Sequence, residues 1–197
     1  MRKLAVFNNV TLDGYFAGKH GDISWAKGHT DAEFNAFVAD NARSGGVLVL
    51  GRITYELMTS YWPTPLAMQH DPVVAERMNN LRKVVFSRTL DKASWNNTKL
   101  MKGDLTAEIR KLKSEPGDDM AILGSGTIVS QLAREGLIDE YQFVVNPVVL
   151  GEGRTMFDGI KDELSLKLTK TRPFGNGNVF LCYEPMAASV GRGGPWG

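Results

Sequence analysis

The chain has 197 residues, 43% of them hydrophobic, and its 23 Lys and Arg against 22 Asp and Glu leave a net charge of +1. That length suffices for one well-buried domain, and scattered, balanced charge without a basic tract argues against a nucleic-acid partner. One cysteine, Cys182, excludes an internal disulfide framework, and with three isolated histidines it assembles no zinc cluster, so no metal is expected.

Leu4 to Asn8 reads as a first strand. The basic-then-apolar start, Met1 to Phe7, meets Asn8-Asn9 too soon for a signal peptide. No stretch approaches a membrane span, and the expected setting is the cytoplasm. Thr11-Leu12-Asp13-Gly14-Tyr15 breaks the strand, and Gly18 to Gly28 reads as loop. Thr30 or Asp31 can cap a helix whose Phe34, Phe37 and Val38 share one face. That helix is expected to end at Gly45-Gly46. Val47 to Leu50 is apolar throughout, as in a strand buried on both faces. Thr54 to Ser60 predicts a short helix closed by Trp62-Pro63-Thr64-Pro65, and residues 73–81 another. Lys83 to Phe86 reads as a strand, with a shorter one near Asn97 to Met101. Leu105 to Leu112 is an amphipathic helix, followed by turn residues Glu115 to Asp118. Met120 to Leu123 predicts a strand and residues 126–135 a helix, with Gly136 at its C-terminal position. Ile138 to Val145 is the next strand. Leu164 to Thr171 and Asn178 to Glu184 both alternate, joined by Gly175-Asn176-Gly177 as a hairpin. Cys182 reads there as a small buried hydrophobe, and His20, His29 and His70 as surface residues in loops.

Strands alternating with helices predict a three-layer α/β sandwich: a central, mostly parallel sheet with a C-terminal antiparallel hairpin. No linker or composition shift divides residues 1–186, which are expected to form a single domain. The glycine-rich residues 187–197 are expected to be a flexible tail.

Two strand-to-helix turns carry the chemistry. A buried strand that enters a helix through glycine presents free N–H groups and the positive end of the helix dipole, which suit a phosphate. The first is Gly51-Arg52-Ile53-Thr54. Gly51 permits close approach, Arg52 supplies a forked donor and Thr54 a hydroxyl; the alternative is a tight turn with a solvated arginine. The second is Gly124-Ser125-Gly126. It begins like a dinucleotide fingerprint, but Val129 stands where the third glycine would be, so a standard Rossmann site is not expected; its glycines could equally serve helix–strand packing. Ser87-Arg88 follows a buried strand and could hold a ribose 2′-phosphate or cap its own loop. Asp13 could orient a substrate or form a turn. Asp31 and Glu33 could act as proton donors or bind the amidine edge of a heterocycle, or else stabilise the start of their helix.

Taken in order, these segments resemble the reductase domain of bacterial riboflavin biosynthesis, which shares the dihydrofolate reductase fold. The resemblance runs from about Lys3 to Glu184. It includes Leu12-Asp13-Gly14-Tyr15-Phe16-Ala17, Leu50-Gly51-Arg52-Ile53-Thr54-Tyr55-Glu56, Val85-Phe86-Ser87-Arg88-Thr89-Leu90 and Gly124-Ser125-Gly126. It continues through Gly136-Leu137-Ile138-Asp139-Glu140-Tyr141, Pro147-Val148-Val149-Leu150-Gly151-Glu152-Gly153 and Phe157. It implies NADPH as hydride donor, with Gly51, Arg52, Thr54, Ser87 and Arg88 at the adenosine phosphates. Gly124, Ser125, Gly126, Thr127 and Ile128 would lie against the pyrophosphate, and Val10 to Gly14 beside the nicotinamide. The family's reaction opens the ribosyl ring of a phosphoribosylaminopyrimidine to a ribityl chain, and stand-alone relatives could reduce other pteridine-like, pyrimidine or carbonyl compounds. Asp13, Asp31 and Glu33 are the candidate catalytic acids, and a homodimer through the C-terminal strands is implied. The chain carries neither the His-x-Glu nor the Pro-Cys-x-x-Cys of the deaminase often fused to such domains. An NADP(H)-binding protein without turnover is the alternative, and an α/β domain that uses the same glycines only for packing is a third reading.

Overall fold

The structure is a computed structural model that describes residues 1–43 and 46–186. Strand β1 (Leu4–Thr11) lies inside an eight-stranded sheet. The other strands are β3 (Val47–Gly51), β4 (Arg82–Phe86), β5 (Thr98–Met101), β6 (Met120–Leu123), β7 (Glu140–Asn146), β9 (Leu166–Pro173) and β10 (Val179–Pro185). Their order is β5-β4-β3-β6-β1-β7-β10-β9. From β5 to β7 every pairing is parallel, whereas β10 is antiparallel to both β7 and β9. The sheet is therefore the mostly parallel one with a C-terminal hairpin that the alternating pattern predicts. A separate ribbon pairs β2 (Tyr15–Ala17) with β8 (Arg154–Thr155).

Helices cover both faces. Helices α5 (Leu105–Ser114) and α6 (Gly126–Arg134) pack on the face that carries Leu4, Val6, Val49, Ile122 and Tyr141. The opposite face is covered in two parts. Helix α1 (Ala32–Arg43) sits over β7 and β10, where Phe34 and Phe37 meet Phe174, Phe180 and Val144. Helices α2 (Arg52–Tyr61), α3 (Pro65–His70) and α4 (Pro72–Asn80) belong to the other end, and Tyr55 and Met78 pack on Leu48, Leu50 and Val85.

Several expectations change in detail. β1 continues through Asn8-Asn9 to Thr11 because both asparagines find partners, as described below. α2 begins at Arg52, two residues before the predicted start, and α3 was not predicted. His70 therefore lies in a helix rather than a loop. The 18–28 loop contains a short 3-10 turn, Ser24–Lys27. Asp31 is the residue that caps α1, its Oδ1 accepting the Phe34 N–H at 2.7 Å. Gly45, in the break expected after α1, and the tail 187–197 lie outside the described residues. No described helix is long and apolar enough to cross a membrane.

Candidate active site

All five loops that leave the parallel strands β4, β3, β6, β1 and β7 open on one rim, the carboxyl edge of the sheet. This is where ligands gather in open α/β folds. In spatial order the rim carries Ser87-Arg88, Gly51-Arg52, Gly124-Ser125, Val10 to Gly14, and the segment after Asn146. The sequence separates Thr54 from Ser125 by 71 positions, yet their hydroxyls stand 2.9 Å apart. The Ser125 Oγ also accepts the Gly51 N–H at 2.8 Å. One side chain thus ties the two glycine turns together.

The glycines are required by packing among the turns themselves. Gly124 has φ +58, and a Cβ there would fall 2.8 Å from the Thr54 Oγ1. A Cβ on Gly126 would lie 2.8 Å from the Phe16 ring, and one on Gly51 would lie 3.0 Å from the Ser125 Oγ. Close approach in turn leaves the helix starts uncovered. Neither α2 nor α6 has a side-chain cap; the Gly51 N–H goes to Ser125 Oγ and the Ile128 N–H to the Ser125 carbonyl, which leaves the N–H groups of Arg52, Ile53, Gly126 and Thr127, at the very start of the helices where no intrahelical acceptor exists, to meet an anion. Ser125 holds the left-handed region at φ 57, uncommon for a residue with a side chain.

Asn8 fixes this arrangement from the neighbouring strand. It is 7% exposed; its Oδ1 accepts the Gly124 N–H at 2.6 Å and its Nδ2 donates to the Gly124 carbonyl at 3.3 Å. Sequence reasoning missed this residue. The available signal was a polar side chain in phase with Leu4 and Val6 on the buried face of the strand.

The remaining candidates are placed as follows. Arg52 directs its Nη1 to both oxygens of Glu56, at 3.1 and 3.0 Å, one turn along α2. Ser87 Oγ accepts from Leu90 N at 2.9 Å and so closes its own loop, while Arg88 is exposed. Thr127 is exposed and Ile128 packs into the core below the α6 turn. Gly14 has φ +87 with nothing within 4 Å of a Cβ. Val10 packs at the edge of the core on the α5–α6 face.

Asp13 clasps two loops of the rim. Its carboxylate accepts the Thr11 hydroxyl at 2.6 Å, the Gly151 N–H at 2.8 Å and the Leu150 N–H at 3.1 Å. The Thr11 hydroxyl, then the Gly151 amide, hold its carboxyl below the ordinary value. Asp31 is occupied as the α1 cap, and Glu33 pairs with Arg172 at 2.8 Å. The three candidate acids therefore belong to separate hydrogen-bonding groups and do not converge. Among the described residues, no three His, Cys, Asp or Glu side chains are grouped to hold a metal.

Below the rim, on the face shared by α1 and α2, the two helices leave β1 and β6 uncovered. A groove of about 570 Å³ runs there. Its floor is Ala5, Phe7, Ala121 and Leu123, with Trp25 and Val38 on one wall and Leu57 and Met58 on the other. Asn9, Gln142 and Glu140 bring polar atoms to the same side of the sheet. Asn9 Oδ1 is held by Asn146 Nδ2 at 3.2 Å. Gly124 and Thr54 also line the groove, so it opens directly onto the rim turns.

Comparison with known proteins agrees with this geometry. The sequence profile of the RibD C-terminal domain matches residues 2–180. The uncharacterized protein YyaP of Bacillus subtilis (strain 168) is 30% identical over 183 residues, 93% of this chain and 95% of that one. Among solved structures, a candidate riboflavin biosynthesis protein from Shewanella sp. PV-4 superposes with a TM-score of 0.72 at 23% identity, covering 94% of this chain and 99% of the other. Dihydrofolate reductase from Enterococcus faecalis, complexed with NADP(H), gives a TM-score of 0.61 at 17% identity over 93% and 96% of the two chains.

Proposed function

The chain belongs to the RibD C-terminal domain family, and on that premise we propose that it is an NADPH-dependent reductase of a small organic substrate. One observation carries the reading. Two helix starts without side-chain caps stand side by side on the carboxyl rim, joined through Ser125, and the groove opens from them. The pair fits a ligand with two linked anionic groups. The fold shared with a dihydrofolate reductase that binds NADP(H) supports the same cofactor here. When bound, the reduced nicotinamide supplies the hydride. The chain's own part is to hold and orient. Arg52 and Arg88 face the outer phosphates, the Gly51 and Gly124 turns offer amides, and Val10 to Gly14 stands beside the groove mouth. The apolar walls exclude water from the reacting carbon.

Titration of purified protein by nicotinamide fluorescence tests this, with NADPH expected to bind clearly tighter than NADH. Arg52→Ala should weaken NADPH by roughly 1.5–3 kcal/mol, the worth of one hydrogen bond to a charged group. Absence of binding at millimolar NADPH refutes the reading. A second reading, an NADP(H)-binding protein without turnover, is favoured by the engagement of all three candidate acids in other bonds. Tight NADPH binding without oxidation by any pterin, aminopyrimidine or carbonyl compound would select it. Oxidation with one of them would show that the proton comes from solvent in the groove or from a residue outside this trio.

A further inference from the structure

On the face shared by α1 and α2, β1 lines the groove with Ala5, Phe7 and Asn9, and of these Asn9 is nearest the rim. Asn146, beside it on β7, is wholly buried. Its side-chain nitrogen donates to the carbonyls of Val144, at 3.0 Å, and Val10, at 3.4 Å. Carbonyl oxygens only accept, so the two ends of the Asn146 amide cannot be exchanged. The same nitrogen lies 3.2 Å from the Asn9 side chain, and the atom that meets it is therefore the Asn9 oxygen. Asn9 in consequence turns its Nδ2 away from Asn146, and among the described residues no acceptor receives it. A residue of the groove wall thus offers a neutral N–H donor whose direction is set from behind by a buried partner. The other polar groups differ. The Thr54 hydroxyl is bonded to Ser125, and Arg154 is an exposed cation in the β2–β8 ribbon. Lys3, Asp119 and Glu140 belong to the far end: the Asp119 carboxylate accepts the Lys3 N–H, and Glu140 stands opposite Ala5, which is about 13 Å along the strand from Asn9.

We propose that Asn9 is a specificity-determining residue, that its Nδ2 donates to the carbonyl oxygen of a neutral aldehyde or ketone, and that Asn146 is the positioning residue behind it. The inference rests on the reductase reading for the fate of that molecule. An oxygen held by Asn9 keeps the carbonyl carbon at the groove mouth, beside the Gly124 and Thr54 turns, while the remainder lies over Phe7 and Leu123. The carbon would form a C–H bond with the hydride of NADPH, and the π pair would move to the oxygen. That oxygen would take a proton from water, so the products are an alcohol and NADP⁺. The Asn9 N–H stabilises the negative charge that gathers on the oxygen during the transfer. It also discriminates, because a molecule of the same shape without an acceptor leaves the donor unpaired.

The test uses two probes of nearly equal shape, acetophenone and α-methylstyrene, which carries C=CH2 in place of C=O. Titration calorimetry with the intact protein gives the affinity of each. The ratio of the two, compared between variants, cancels both their different hydration and any change in groove shape. Asn9→Asp keeps the oxygen that meets Asn146 and puts an acceptor where the donor stood. It should lower the ratio of acetophenone to α-methylstyrene affinity at least fivefold. Asn146→Ala, which leaves the Asn9 amide free to turn over, should lower it as well; should that variant not fold, Asn9→Asp decides alone. A smaller change in Asn9→Asp, or no measurable binding of acetophenone to the wild type, overturns the proposal, and a wild-type ratio in a folded Asn146→Ala overturns the part given to Asn146. NADPH affinity, measured on the same samples, should stay within threefold of wild type in Asn9→Asp. Lost NADPH affinity with an unchanged ratio would mean that Asn9 faces the cofactor, which also overturns the proposal. Were NADPH not to bind the wild type while the ratio moved as expected, the reductase reading would fail and the carbonyl site would stand.

Discussion

Asn8 offers the sharpest test of how the rim is built. Replacing it by alanine removes the acceptor 2.6 Å from the Gly124 N–H and the donor 3.3 Å from the Gly124 carbonyl. Asn8 is 7% exposed and Gly124 packs against Thr54, so both backbone groups lose their partner in a largely buried setting. Each buried group left unpaired costs about 1–3 kcal/mol. The longer bond falls at the low end, so Asn8→Ala should lose about 2–4 kcal/mol. For a chain of this size that lowers the melting temperature by roughly 4–16 °C at about 2–4 °C per kcal/mol. Asn8→Asp separates stability from binding. It keeps the acceptor, so it should unfold nearer to wild type, but it places a negative charge under a turn proposed to hold pyrophosphate. NADPH affinity should therefore fall further in Asn8→Asp than in Asn8→Ala, while stability follows the opposite order. Urea denaturation and NADPH titration of both variants decide the matter. If the two rank the variants identically, Asn8 supports the fold and has no bearing on an anion at Gly124.

Two further outcomes follow from buried or capping groups. Lys83, 1% exposed, donates to the carbonyls of Leu81, Asn79 and Asn96 and lies 4.2 Å from the Trp95 ring centre. Burial lowers its pKa to about 8. Between that value and the ordinary one the unfolded chain holds the extra proton, so this group's contribution to stability rises with pH through the window. The deficit of Lys83→Met relative to wild type should widen by about 2 kcal/mol between pH 7.5 and 9.5 in chemical denaturation; a gap that narrows contradicts the assignment. Asp31→Ala should cost about 1 kcal/mol of stability through the lost α1 cap and leave NADPH affinity unchanged, and an unaltered denaturation midpoint would show that the cap contributes nothing.

The elements were legible where local chemistry and tertiary environment agree. Val47 to Leu50, Met120 to Leu123 and the hairpin around Gly175-Asn176-Gly177 needed only apolar runs, alternation and turn residues, and each appears within a residue or two of its expected place. Asn8-Asn9 shows the converse. Asparagine usually interrupts strands because its amide competes for local backbone bonds; here Gly124, in the turn after β6, and Asn146 of β7 occupy those amides, and β1 runs on to Thr11. No local rule could supply partners more than a hundred positions away.

The same distance in sequence hides most of the site. The two glycine turns could be named singly, because a strand entering a helix through glycine is a local event. That they touch depends on β6 lying between β3 and β1, which only the sheet order reveals. The groove is less legible still. Ala5 and Ala121 are ordinary strand residues until the register places them side by side, with Glu140 opposite Ala5 on the next strand. The acids chosen from sequence, Asp13, Asp31 and Glu33, were those next to turns and helix starts; Asp31 is claimed locally by the Phe34 N–H, and Asp13 and Glu33 from far along the chain by the Leu150 and Gly151 N–H groups and by Arg172. Glu140 lies on strand β7, whose N–H and carbonyl groups are taken by β1 and β10, and its side chain meets Gln142 two positions on and the Cys182 thiol of the neighbouring strand.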